Sequence, residues 1–404
     1  MSKYIKSISL LLFITASLTG FGLYKAQASS PHPELKIVTS EGKPEHIEPI
    51  QTLGFVSDSQ MPTQSSTVKL ENGDFSYFED LPFLQRLDFS FDPKINDLIN
   101  DHRSFMRGKS RLPEHYTETE QHIIYTGMES DLHWNHHSSN QMIIAVLDKG
   151  SEKEETYSVS LGASGPFYSI RATSIDYPLL SVVVEDFSSS DAAETLVYTF
   201  DIENPAEGVT NVVNLTEETE RNARIRLGLH YDNTERFITF QTVRQTAVSN
   251  YDYTEEISGY YAYDTQAHEV IDIQSFEDIE TLLFTDNDTL YVGKALNEAI
   301  ELYQIDLTGE EMSLISTIEM ASPSILHETE NYNGLFNQNL SILDGKFYAY
   351  GYEYTEDIGR PLFQVTDIET QETLFQGTIE PKDTSKREST TINLFELQID
   401  PENN

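Results

Sequence analysis

From about residue 120 onward, apolar and polar positions alternate in short runs separated by polar turn clusters, the signature of half-buried strands. Five segments share one shape: an alternating strand, an Asp, a polar turn, then a second alternating strand. They are MIIAVLDKGSEKEETYSVSL (142–161), LVYTFDIENPAEGVTNVVNL (196–215), YYAYDTQAHEVIDI (260–273), ELYQIDLTGEEMSLISTI (301–318) and LFQVTDIETQETLFQGTI (362–379). Their shared acids are Asp148, Asp201, Asp264, Asp306 and Asp367, spaced by 53, 63, 42 and 61 residues. An Asp at a strand end suits a turn, because its carboxylate can accept from the next backbone N–H groups. These acids are therefore expected to shape turns and not to form a site.

Further strand signals precede the shared segments, among them YPLLSVVVEDF (177–187), RFITFQTVR (236–244), DNDTLYVGKAL (286–296) and LDGKFYAYGYEY (343–354). Four strands per unit of roughly 40–60 residues is the period of β-propeller blades. The chain resembles a β-propeller over residues 51–404. The resemblance is one of architecture, since neither a WD dipeptide nor a kelch double glycine is present. It implies an all-β fold of about seven four-stranded blades, within a range of six to eight. The runner-up is a pair of β-sandwiches, which the regular unit shape disfavours. A propeller closes when its last blade borrows a strand from the other end. TTINLFELQI (390–399) or the strands near 51–80 could supply that clasp.

The N-terminal part follows other rules. Lys3 and Lys6 precede an uncharged run, Ser7 to Tyr24, and Ala26-Gln27-Ala28 fits a small-x-small cleavage pattern. Residues 1–28 read as a signal peptide or a single membrane anchor, which places the body outside the cytoplasmic membrane or free in the medium. Residues 29–50, with Pro31, Pro33, Pro44 and Pro49, read as a polar linker. Residues 92–113 break the strand pattern, and Ile95, Leu98, Ile99 and Phe105 predict a short helical insertion there.

Composition narrows the function. The net charge of −41 makes nucleic acid and bare anionic lipid poor partners. With no Cys, an exported body must hold together through its core alone, and a lipoprotein anchor is excluded. The body is expected to be monomeric.

Candidate chemistry is sparse. DLHWNHHSSN (131–140) carries His133, His136 and His137 beside Trp134, the only tryptophan. A zinc site needs three or four converging ligands. The spacing matches no short zinc motif, so the loop reads as recognition or plain surface, with no metal and no cofactor assigned. His115 and His122 lie upstream. Arg103, Arg107 and Arg111, with Lys94 and Lys109, make the one notable basic stretch. Asp286-Asn287-Asp288, and Ser188 to Asp191 with Glu194, offer oxygen ligands but lack the EF-hand pattern. GASGP (162–166) is not a nucleophile elbow. Tyr348, Tyr350, Tyr352 and Tyr354 share one strand face and are expected to pack between blades.

The sequence thus points to an exported, non-catalytic binder of a cell-surface protein or wall component. The proposed contacts are Trp134, His133, His136, His137, Arg103, Arg107 and Arg111. Two alternatives stay open: a secreted carbohydrate-active enzyme with carboxylates in the propeller channel, and a metal-dependent extracellular sensor.

Overall fold

The computed structural model describes residues 32–58, 61–82, 86, 90, 92–129, 141–161, 168–187, 193–220, 223–227, 236–247, 253–273, 281–286, 289–305, 312–322, 325, 339–355, 358–395 and 397–399. The strands run in chain order as follows. β1 (Leu35–Gly42) comes first, then β2 (Ile50–Asp58), β3 (Met61–Glu71) and β4 (Asp74–Tyr77) of blade I. Blade II holds β5 (Tyr116–Glu118), β6 (His122–Met128), β7 (Gln141–Asp148) and β8 (Lys153–Ser160). Blade III holds β9 (Tyr168–Asp176), β10 (Leu179–Asp186), β11 (Glu194–Asp201) and β12 (Val209–Asn214). Blade IV holds β13 (Arg224–Leu227), β14 (Phe237–Ala247), β15 (Tyr253–Asp264) and β16 (Glu269–Ile273). Blade V holds β17 (Thr281–Asp286), β18 (Thr289–Ala295), β19 (Ala299–Ile305) and β20 (Met312–Glu319). Blade VI holds β21 (Leu340–Leu343), β22 (Lys346–Thr355), β23 (Ile358–Asp367) and β24 (Thr373–Pro381), and β25 (Thr390–Leu394) and β26 (Gln398–Ile399) follow.

Each blade is an antiparallel meander. The first strands of successive blades meet, β5 with β9 and β17 with β21. β17 is buried throughout, whereas β8 is mostly exposed. The first strand of a blade is therefore the inner one.

Alternation along a strand explains the ring. In β10, Leu180, Val182 and Val184 pack with Ile124, Met142 and Ile144 of blade II, while Val183 packs with Phe240 and Tyr263 of blade IV. In β17, Leu283 joins Phe237 of blade IV, while Leu282 and Phe284 join Ile342 and Phe347 of blade VI. Successive side chains point to opposite faces, so each inner blade buries both faces against its neighbours. Blade VI packs in turn on blade I, with Tyr348, Tyr350, Phe363 and Phe375 against Val56, Val68 and Ile392. This is an all-β propeller. Among the described residues there are six sheets, four of four strands and two with a fifth, at the lower end of the expected six to eight.

Both ends of the described chain take part in closure. β25 pairs with β2, completing blade I in the order β25-β2-β3-β4. Both segments anticipated as clasps thus share one sheet. The close approach requires Gly54, because a Cβ there would lie 2.3 Å from the Asn393 carbonyl oxygen. β1 adds a fifth strand to the outer edge of blade VI, pairing with β24 from Leu35–Pro381 to Gly42–Phe375. That strand falls within residues 29–50, where a linker was expected. Leu35 is buried and Ile37 packs against the same core, which gives the segment an apolar side its prolines obscure.

Residues 92–113 carry α1 (Pro93–Asp101) and α2 (Arg103–Met106). Asp92 caps α1 by accepting from the Ile95 N–H at 2.9 Å, and Pro93 stands at its first turn. Ile95, Leu98 and Ile99 share one helix face. With Phe105 and Met106 they pack on Tyr116, Ile123 and Leu147 of blade II. Between blades I and II the ring is filled by helix, where the other neighbouring pairs pack sheet on sheet.

Candidate functional site

The helical wedge leaves two adjoining hollows. The first, about 470 Å³, lies between blade I and α1. Leu53, Tyr77, Phe78 and Leu81 form its apolar side, and Asn96, Asp97 and Asn100 project from α1. Lys69 stands on the blade I wall but is neutralised by Glu71 at 2.6 Å and Asp97 at 3.8 Å. Burial pushes the Tyr77 hydroxyl well above its usual pKa, with Asp80 and Glu79 adding to the shift. Tyr77 donates to the Pro33 carbonyl at 2.5 Å, and its ring stacks on His32. It is a wall of the cleft and a neutral donor.

The second hollow, about 330 Å³, shares Ile99 and Arg103 with the first. Its remaining lining is Met106, Arg107, Gly108, Lys109 and Arg111. Four of the seven are cations and none is an acid, in a chain where acids outnumber bases 67 to 26. The arginines Arg103, Arg107 and Arg111 are all exposed. A turn at Gly108, with φ of 80°, bends the chain so that residues on both sides face one space. Lys109 pairs with Glu154 at 2.8 Å and sits over the Phe105 ring, and Lys94 lies 3.9 Å from Glu118.

The other predicted residues separate into those placed elsewhere and those not described. His133, Trp134, His136 and His137 lie outside the described residues, as do Ser188 to Asp191, Asn287 and Asp288. His115 is buried, with its Nδ1 2.6 Å from the Thr126 carbonyl oxygen. His122 stacks on Tyr177 and lies 3.9 Å from Asp148. Among the described residues no cluster of His, Asp and Glu has the geometry of a metal site. Among them, too, no helix is long and apolar enough to cross a membrane.

Four of the five repeated acids do shape turns, and Asp306 lies outside the described residues. Asp148 accepts from Ser151 N–H at 2.6 Å, Asp201 from Glu203 N–H at 2.9 Å, and Asp367 from Thr370 N–H at 2.7 Å. Hydrogen bonds from Ser151, Asn204 and Thr370 respectively hold these three carboxyls below the usual carboxylate range. Asp264 accepts from Gln266 and Ala267 and forms a forked pair with Arg236.

Several other buried acids also have structural partners. Glu380 meets Arg360 at 2.9 Å and is also paired with Arg387, and Glu185 lies 3.5 Å from Arg171. Asp286 accepts from the Asp344 and Gly345 N–H groups at 3.1 Å each, tying blade V to the first hairpin of blade VI. The tyrosine stripe is packing. Tyr348 and Tyr350 are buried, and Tyr350 donates to the Leu394 and Phe395 carbonyls. Leu394 N–H in turn donates to the Tyr352 hydroxyl at 2.8 Å, so the stripe pins the closing strand. The Tyr354 side chain lies outside the described residues.

The cleft was not visible in the sequence, because its walls come from residues 53–81 and 96–103. The nearest signal was the break in strand pattern at 92–113.

No protein-family model matches the sequence, and no curated protein matches it. Among solved structures, the chain is similar to the β-propeller domain of the Trilobed protease from Pyrococcus furiosus. Identity there is 13%, over 75% of this chain and 76% of that one, with a TM-score of 0.33. An uncharacterized protein from Listeria monocytogenes EGD-e matches at 10% identity over 65% and 64%, with a TM-score of 0.32. An oligogalacturonate lyase in complex with manganese matches at 7% identity over 76% and 69%, with a TM-score of 0.37. Scores this low transfer no activity, and the propeller assignment rests on this chain's own strand order and blade-to-blade cores.

Proposed function

We propose that this protein is an exported, non-catalytic propeller that binds a cell-surface protein or wall component through the face between blades I and II. One observation carries the reading: an arginine-lined hollow with no acidic lining, on a chain of net charge −41. Screening at physiological salt limits exposed charges to a reach of about 8 Å. The local arginines therefore weigh more than the distant acids in what docks at this face. The buried acids described above are committed to turns and ion pairs, which supports a scaffold over a hydrolase. Export is supported by the uncharged run after Lys3 and Lys6.

The test is cross-linking and affinity capture on intact cells of the native host. Wild type is compared with an Arg103→Glu, Arg107→Glu, Arg111→Glu variant and with a variant replacing His133, Trp134, His136 and His137 by Ala. A specific surface partner lost only in the arginine variant is the expected result. The same partners in every variant would overturn the assignment of this face. No partner at all would redirect the search to glycan hydrolysis.

A further inference from the structure

We infer that residues 1–28 stay in the membrane as an anchor, and that the fixed point where the chain joins the body holds one end of the propeller toward the bilayer and the other away from it. This rests on the export reading above and adds the side from which a partner comes. The uncharged run Ser7 to Tyr24 has 18 residues, enough to cross a bilayer. A signal peptide's apolar core is shorter, at about 7–15 residues. Lys3 and Lys6 keep one flank inside, and Tyr24 suits the outer interface.

The chain that follows joins the body at a fixed point. The His32 ring stacks on Tyr77 with centroids 4.7 Å apart, and its Nδ1 lies 2.8 Å from Ser66 Oγ. The Pro33 carbonyl accepts from the Tyr77 hydroxyl, and the Glu34 carbonyl accepts from the Lys382 N–H at 2.7 Å. Blade I thus holds His32 and Pro33, and the end of blade VI holds Glu34.

Strand direction says at which end of the ring this point lies. In an antiparallel meander, the turns after the first and third strands gather at one end, the turn end. The links between blades gather at the other, the linking end. β1 runs antiparallel to β24, and its first residue, Leu35, pairs with Pro381, the last residue of β24. Tyr77 is likewise the last residue of β4. The chain therefore enters at the linking end. Asp148, Asp201 and Asp367 bind their turn amides at the turn end.

Seven residues, 25–31, separate Tyr24 from His32. Fully extended, such a chain reaches at most about 25 Å. β1 alone covers about 24 Å from the linking end to the turn end. A turn end resting on the membrane would consume the whole reach before the turns themselves are counted, so the linking end is the nearer one. The arginine hollow sits toward the farther end. Lys109 of its lining pairs with Glu154, beside the Lys153 that opens β8 after a turn. Asp92, at the start of α1, accepts from Gln398, which pairs with Gln51 near the start of β2. A partner at the hollow is therefore met from the outer side and not from the bilayer.

The absence of Cys makes single-cysteine labelling unambiguous. Glu388→Cys marks the linking end of blade VI and Glu369→Cys its turn end, both at exposed positions. The full chain is isolated in host membranes, its intact mass is measured, and energy transfer is read from a donor dye at each cysteine to a head-group-labelled lipid. The mass should include residues 1–28, and the donor at 388 should lie nearer the lipid plane by about 25 Å. Inserting about twenty Gly and Ser residues after Ser30 should erase most of that difference, because a flexible chain of that length lets the body turn. Unchanged melting curves show that each variant is folded.

A chain lacking residues 1–28, equal transfer from both positions, or stronger transfer from 369 would overturn the inference, as would a difference that survives the insertion. If any of these is found while capture of a surface partner still depends on the arginines, the docking reading survives and only the orientation falls. If the orientation is found but no partner is captured, the orientation stands and the docking reading falls.

Discussion

Removing the Asp264 carboxylate should destabilise the propeller measurably, and the geometry says by how much. Asp264 ends β15 and faces Arg236, the residue preceding β14. Arg236 Nε lies 3.0 and 3.1 Å from the two carboxylate oxygens and Nη2 lies 2.6 Å from Oδ2. Two turn amides, Gln266 and Ala267, donate to Oδ1 at 2.9 and 3.1 Å. The carboxylate side chain is 5% exposed and the guanidinium 19%. Asp264→Ala strips two amides of their acceptor at about 1 kcal/mol each and removes a charge-assisted fork. Arg236 retains some contact with water, so the cost of orphaning it is discounted. The total is about 3 kcal/mol. Asp264→Asn keeps Oδ1, the acceptor of both turn amides, and should cost about 1 kcal/mol through the lost fork alone. Urea unfolding followed by circular dichroism reads both, with a cycle against Arg236→Met, which also removes the guanidinium lying 5.2 Å from the Phe237 ring centroid.

The pH dependence supplies the sign. Burial raises the Asp264 pKa, but Arg236 and the two amides outweigh it, and the carboxyl titrates below its ordinary value. A depressed folded pKa stabilises fully above the unfolded value of about 3.9 and loses that contribution as pH falls through the folded one. The gap between wild type and Asp264→Asn should therefore stay constant from about pH 5 to 8 and shrink below about pH 4. A cost under about 1 kcal/mol for Ala, or a gap that widens in acid, would refute the reasoning.

Two further outcomes follow from packing and capping. Ile392→Ala, at a position 2% exposed in the closing strand, should cost about 3 kcal/mol in the same urea assay and leave the other blades' sheets intact by circular dichroism. Asp92→Ala removes the cap of α1 and the 3.0 Å hydrogen bond from Gln398. It should cost about 1–2 kcal/mol and raise amide exchange in α1 before any blade responds.

Much of the fold was legible because blades are local. Strand, Asp and turn recur within about twenty residues, and the carboxylate-to-amide contacts at Asp148, Asp201, Asp264 and Asp367 are sequence-adjacent. Blade I escaped the repeat because its inner strand comes from the other end of the chain. β1 escaped because only Leu35 and Ile37 mark its inward side, among prolines and charges. The arginines were visible as a basic stretch, but their convergence was not. α2 spans only Arg103–Met106, so a turn at Gly108, and not helical spacing, brings Arg107 and Arg111 to the same hollow. The cleft beside them joins surfaces distant in sequence, which no local pattern encodes.

Closure by β25 also sets an order of events in time. Each blade forms from neighbouring hairpins, whereas Gly54 meets Leu394 across about 340 residues of chain. Bringing such distant ends together costs roughly 4 kcal/mol more loop entropy than closing a four-residue hairpin. The seam is therefore expected to form late. Until it forms, the β2 edge is unpaired and open to adventitious strand addition.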